Sequence, residues 1–101
     1  MGQLFKQAQE MQARLAKIQE ELAVKSVDAS AGGGMVEAKV NGQLNLVSIK
    51  LDPAIVDLKE KGMLEDLILV AVNEGLRRAR EMAAEEMGRV TGGLKIPGLT
   101  P

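Results

Sequence analysis

The 101-residue chain has no cysteine, histidine, tryptophan or tyrosine, and its one aromatic residue is Phe5. Without cysteine there are no disulfides and no thiolate-bound metals, and an intracellular setting is expected. Without histidine as well, the common general base and the thiol nucleophile are both missing, so no enzymatic role is expected. One aromatic offers no platform for stacked bases, which argues against single-strand binding of the usual kind. An excess of one charge is lacking too: 13 basic residues meet 14 acidic ones, for a net charge of −1. A basic domain would advertise nucleic acid; here any anion binding has to come from an uneven charge distribution. No apolar run approaches a membrane span and no segment reads as a signal peptide, so a cytoplasmic protein is expected.

What is present is ordinary and foldable, with 46% hydrophobic and 27% charged residues, and the length fits one domain. The richest stretch is the first. Leu4, Ala8, Met11, Leu15, Ile18 and Leu22 are spaced by alternating steps of four and three. That is a heptad seam, and it predicts a helix from Gly2 to Ala23. Such a helix is roughly 33 Å long, more than a core this small needs, so part of it is expected to project. A projecting seam suits gripping a partner better than turning over a substrate.

Alternating small and β-branched residues over Val24–Ala31 predict a strand, and Gly32-Gly33-Gly34 breaks it as a flexible turn or wide bulge. Val36, Ala38 and Val40 alternate with Glu37 and Lys39 as a half-buried strand. Asn41-Gly42 is the strongest short hairpin signal and predicts a two-residue type I′ turn. In that register Val40 faces Gln43, Ala38 faces Asn45 and Val36 faces Val47. One face then carries Val36, Ala38, Val40, Val47, Ile49 and Leu51, a coherent core face. The other carries Glu37, Lys39, Ser48 and Lys50, with Met35, Leu44 and Leu46 as an apolar patch that a subunit contact would cover.

Asp52-Pro53 ends the third strand and opens a short helical turn through Val56. Asp57 with Glu60 resembles a capping box. A second long helix follows, well established by Met63 and ending near Gly88. Its stripe is Leu64, Leu67, Ile68, Ala71, Val72, Gly75, Ala79, Met82 and Glu86. Gly75 costs about 1 kcal/mol in a helix interior, and a close helix–helix crossing would explain it. Residues 91–101 form a Gly/Pro-rich tail, expected to be mobile. The fold class is α+β: long helix, three-stranded antiparallel meander, short turn, long helix, as one domain over residues 1–90.

Candidate sites are few. The acidic pairs Glu20-Glu21, Glu65-Asp66 and Glu85-Glu86 lie on helices, where neighbours diverge by about 100° and do not converge on one atom. No metal, cofactor or small-molecule substrate is expected. The glycine run lacks the Lys-Ser/Thr of a phosphate-binding loop. Met11, Met63, Met82 and Met87 sit on or beside helix stripes and suit adaptable packing. Helix spacing pairs Glu10 with Arg14, Glu74 with Arg78, Glu85 with Arg89, Lys6 with Glu10, Lys17 with Glu21 and Arg77 with Glu81. Arg80 has Leu76 and Ala84 at its four-residue neighbours and is left over.

The order and wording of the motifs resemble one family. Gly34-Met35-Val36-Glu37-Ala38-Lys39-Val40-Asn41-Gly42, Val47 to Pro53, Met63 to Ile68 with Ala71 to Glu74, Met87 to Gly93 and Pro97-Gly98-Leu99 are similar to the signatures of the YbaB/EbfC nucleoid-associated proteins of bacteria. The resemblance spans essentially the whole chain. It implies a homodimer whose sheets form a shared body and whose long helices project as the arms of a tweezer. It also implies binding of double-stranded DNA, a place in the cytoplasm and nucleoid, and no catalytic activity. On that reading Lys6, Arg14 and Lys17 line one arm, and Arg77, Arg78, Arg80 and Arg89 the other. They would contact phosphates with little reading of base edges, while Met35, Leu44 and Leu46 join the subunits. The alternative is a cytoplasmic assembly or adaptor protein using the same arms to clasp a protein.

Overall fold

The computed structural model describes residues 2–56 and 58–90. Helix α1 spans Gly2–Val24, and strands β1 (Ser26–Ala31), β2 (Val36–Asn41) and β3 (Leu46–Leu51) follow. Two 3-10 turns, Pro53–Ile55 and Leu58–Glu60, lead into α2, Lys61–Val90. The strands form one antiparallel sheet in the order β1-β2-β3. This is the α–β–β–β–turn–α order that the sequence predicts. The cap expected of Asp57 and the tail expected over residues 91–101 lie outside the described residues.

The sheet works because β2 alternates. Val36, Ala38 and Val40 are buried, while Glu37 and Lys39 are exposed. Beside them β1 buries Ala29 and Ala31. Helix α2 lies across β1 and β2 with Ala71, Gly75 and Ala79 buried at the contact. Small residues on both sides let backbone approach backbone, and Leu64, Leu67, Ile68 and Val72 pack around that seam with Ile49 and Leu51. Gly75 is thus explained by the sheet. The neighbour it accommodates is Val40, whose Cγ2 would stand 2.8 Å from a Cβ at residue 75; it is not the helix–helix crossing that its spacing suggested.

The hairpin also departs from expectation. Val36 lies opposite Leu51, not Val47, and Ala38 opposite Ile49. The turn is longer than two residues. Leu44 N donates to the Asn41 carbonyl at 3.0 Å, and Asn41 N to the Asn45 carbonyl at 3.0 Å. The positive φ sits on Leu44 (64°), and Asn41 and Gly42 do not have it. The physical reason is the Asn41 side chain, whose Oδ1 accepts from Gln43 N at 2.9 Å and Asn45 N at 3.0 Å. That closes a wider loop and supplants the type I′ turn. Val47 and Leu51 are both odd-numbered, so the slip leaves Ile49 and Leu51 facing the helix. A bulge between Lys39 and Val40 then sets Leu46 opposite Val40, and Val47, expected in the core, is 55% exposed.

The glycine run makes a tight β1–β2 connection, with φ of 65°, 68° and 93° at Gly32, Gly33 and Gly34. Three successive left-handed residues are open only to glycine. Asp52 caps the first 3-10 turn as expected, accepting from Ala54 N at 2.9 Å with Pro53 following. Helix α2 continues through Gly88 to Val90, beyond the stop its sequence suggested.

Candidate nucleic-acid interface

Helix α1 buries only Ile18 and Leu22, both near its C-terminal end. Residues 2–10 are exposed throughout, and on the seam Leu4 is 71% exposed. The molecule is correspondingly long, 68 × 26 × 16 Å. The arm projects because its apolar seam outruns the surface available to cover it.

Lys6, Arg14 and Lys17 are exposed on this helix, and their side chains have no ion pair or hydrogen bond to a described residue. At about 100° per residue they fall within an arc of about 80°. Glu10 lies on the same arc, so the stripe is mixed in sign. The pairings expected within α1, Lys6 with Glu10, Glu10 with Arg14 and Lys17 with Glu21, are not formed. Long exposed side chains gain little from such contacts.

Helix α2 is different. Arg77 clasps Glu74 through two bonds, Nε to Oε2 at 3.0 Å and Nη2 to Oε1 at 2.6 Å, and its Nη1 meets Glu81 at 2.6 Å. Arg78 reaches the same Glu74 at 3.1 Å and the carbonyl of Asp28 at 2.8 Å. The hydrogen bond from Arg77, reinforced by Arg78, holds the Glu74 carboxyl down at about 2, against 4.5 for a free glutamate, although partial desolvation opposes it. Arg77 is raised in turn, chiefly by Glu74. Arg89 pairs with Glu86 at 3.3 Å, not with Glu85 as spacing suggested. Glu86 also receives Lys25 Nζ at 2.8 Å, and that bond lowers its pKa. Arg80, exposed, has no such partner among the described residues.

The structure therefore divides the expected cations. Lys6, Arg14, Lys17 and Arg80 are free of described partners, while Arg77, Arg78 and Arg89 are engaged. Lys25 escaped sequence reasoning because its partner is remote in sequence. The Glu74–Arg77 and Glu86–Arg89 contacts carried a readable signal, their three-residue spacing. The outer sheet face adds Lys39 and Lys50, but Lys39 lies opposite Asp28 and Lys50 opposite Glu37, so it is balanced in charge. Met35 follows the glycine turn at one end of the hairpin, and Leu44 and Leu46 stand at the other. All three are exposed, but they do not share the outer face as the spacing suggested: the bulge sets Leu46 opposite buried Val40, on the helix-facing side of the sheet.

No helix among the described residues is long and apolar enough to cross a membrane. The chain is 54% identical over 99 residues to a nucleoid-associated protein of Thermoanaerobacter sp. (strain X514), covering 98% of this chain and 89% of that one. It is 49% identical over 100 residues to a nucleoid-associated protein of Desulfotalea psychrophila, covering 99% and 94%. Its fold matches the crystal structure of an uncharacterized protein from Helicobacter pylori with a TM-score of 0.81 at 23% identity, over 91% of this chain and 97% of that one. The profile of the YbaB/EbfC DNA-binding family matches residues 1–94, and the chain belongs to that family.

Proposed function

We propose that this protein is nucleoid-associated and binds double-stranded DNA as a homodimer, through phosphate contacts from its helical arms. The observation that carries the reading is the division of cations. On a projecting helix, Lys6, Arg14 and Lys17 share one face and are committed to nothing else among the described residues, as is Arg80 on α2. Unpaired, solvated cations are what phosphates recruit, with little sequence preference. The names of the relatives support a place in the nucleoid, and hence the cytoplasm. The acidic balance and Glu10 within the basic arc favour weak binding.

Support for self-association comes from Leu44. A leucine held at φ 64° and 40% exposed bears a backbone cost of about 1–2 kcal/mol for a side chain that an isolated chain leaves in water. A second copy covering Leu44, Leu46 and Met35 gives that side chain a use. β3 is moreover an open edge strand.

A second reading is favoured by Leu4 and Phe5, 71% and 67% exposed at the end of the arm, which suit clasping a protein partner. A gel-shift titration with duplex DNA at two salt concentrations separates the two. Duplex binding that weakens steeply with salt supports phosphate contact. Absence of binding at low salt leaves the protein-clasping reading.

A further inference from the structure

The β2–β3 loop is docked onto the carbonyl end of α1. Gly42 N donates to the Leu22 carbonyl at 2.9 Å and to the Lys25 carbonyl at 3.0 Å. Asn41 Nδ2 donates to the Ala23 carbonyl at 3.3 Å, and Gln43 Nε2 to the Gln19 carbonyl at 3.1 Å. Of these, the Leu22 and Ala23 carbonyls are among the last four of the helix, which have no partner inside it. Here the loop supplies donors that a glycine cap within the helix would otherwise replace.

The fit requires glycine at 42. A Cβ there would stand 2.6 Å from Leu22 Cδ2, 2.7 Å from Leu22 Cβ and 2.9 Å from the Leu22 carbonyl oxygen. The last two are too close to the backbone to swing aside. Asn41 serves both ends of the contact: its Oδ1 folds the loop through Gln43 N and Asn45 N, and its amide holds the helix.

Helix α1 also packs on α2, and Lys25 just beyond its end pairs with Glu86. Only Ile18 and Leu22 of α1 are buried, both close to the same end. With its 23 residues the helix is about 34 Å long, so a swing of about 10° at the base moves its tip by about 6 Å. At Lys6, about 27 Å from the base, the shift is about 5 Å, more than the ~3.4 Å rise per nucleotide along one DNA strand.

We propose that Asn41, Gly42 and Gln43 are positioning residues: together with the packing on α2 they set the angle of α1 and so the placement of its basic face, without touching DNA. The inference rests on the reading of α1 as a DNA-contacting arm.

The chain has no cysteine, so paired spin labels at Gln9→Cys and Ser48→Cys report one distance from arm to sheet, with unlabelled protein in excess to isolate pairs within a chain. Two variants break the latch. Gly42→Ala pushes the loop off Leu22, and Asn41→Ala/Gln43→Ala removes both side-chain donors to α1 while leaving the core intact. The expected result is a narrow distance distribution in the parent and a broad one in both variants. Duplex affinity should fall about fivefold or more, with the salt slope of log K unchanged because the phosphates contacted remain the same. A narrow distribution in the double variant overturns the latch. A broad distribution with unchanged affinity, or a lowered salt slope, overturns the positioning role. If the parent binds no duplex at low salt, the DNA reading fails, and the positioning role with it, while the distance measurement still judges the latch.

Discussion

Gly75 and Val40 meet so closely that the side-chain position of residue 75 is already occupied: a Cβ there would lie 2.8 Å from Val40 Cγ2. Val40 is fully buried and β-branched, so it has little freedom to rotate away. Alanine gains about 1 kcal/mol of helix propensity over glycine, and overpacking costs about 1–3 kcal/mol. The steric term wins, and Gly75→Ala should lower stability by about 1 kcal/mol in urea unfolding. Val40→Ala placed in the Gly75→Ala background should lose less than the two single changes together, because it removes the clash. Strict additivity would show that the contact is not the cause.

The Glu74 cluster predicts a particular acid response. Its carboxyl lies at about 2 in the folded protein, below the ordinary 4.5, so folding favours the ionised form. The stabilisation is complete above pH 4.5 and is lost as pH falls from there to about 2. Glu74→Gln should lower the urea midpoint at pH 7 and flatten its fall over that window. Being on the surface, the effect should shrink in high salt. Equal acid slopes in parent and variant would mean that the Arg77 clasp adds nothing to folding.

These two sites also mark what was legible in the sequence. The helices, the three strands and the α2 stripe followed from periodicity, because burial acts on every turn of a helix and every second strand residue. The hairpin register did not follow. Asn41-Gly42 favours a type I′ turn locally, but Asn41 Oδ1 and the open carbonyls of α1 offer a competing set of bonds. Those carbonyls belong to residues about 20 positions away, beyond any local rule. The cations were legible as a set. Which of them are free depends on three-residue spacing and on the Asp28 carbonyl, brought to Arg78 only by packing.

The subunit contact is open to opposite effects at one residue. Leu44→Gly relieves a left-handed leucine and should leave the hairpin of a lone chain no less stable. If the side chain is covered by a second copy, the same change should weaken association. Leu46→Asp should weaken it more, since it buries an unpaired carboxylate. Sedimentation equilibrium is the measurement, with about a tenfold rise in dimer dissociation constant expected for Leu46→Asp, equivalent to about 1.4 kcal/mol. Parent-like masses in both variants would move the contact to another surface.

The arms carry the final prediction. Arg80 is free among the described residues, whereas Arg77 is held by Glu74 and Glu81. Removing a true phosphate contact should lower the salt slope of log K by about 0.9 for duplex DNA. Arg80→Ala and Lys17→Ala should each do so, and should weaken unrelated sequences about equally, because phosphates carry no base code. Arg77→Ala should leave the slope unchanged, since its charge is already spent on two carboxylates. Glu10→Gln should tighten binding, because it removes the negative charge lying within the arc of Lys6, Arg14 and Lys17. Fluorescence anisotropy at several salt concentrations distinguishes these outcomes. A slope lowered by Arg77→Ala and not by Arg80→Ala would mean that DNA draws the arginine out of its clasp, and that the ion pairs of α2 are exchanged for phosphates on binding.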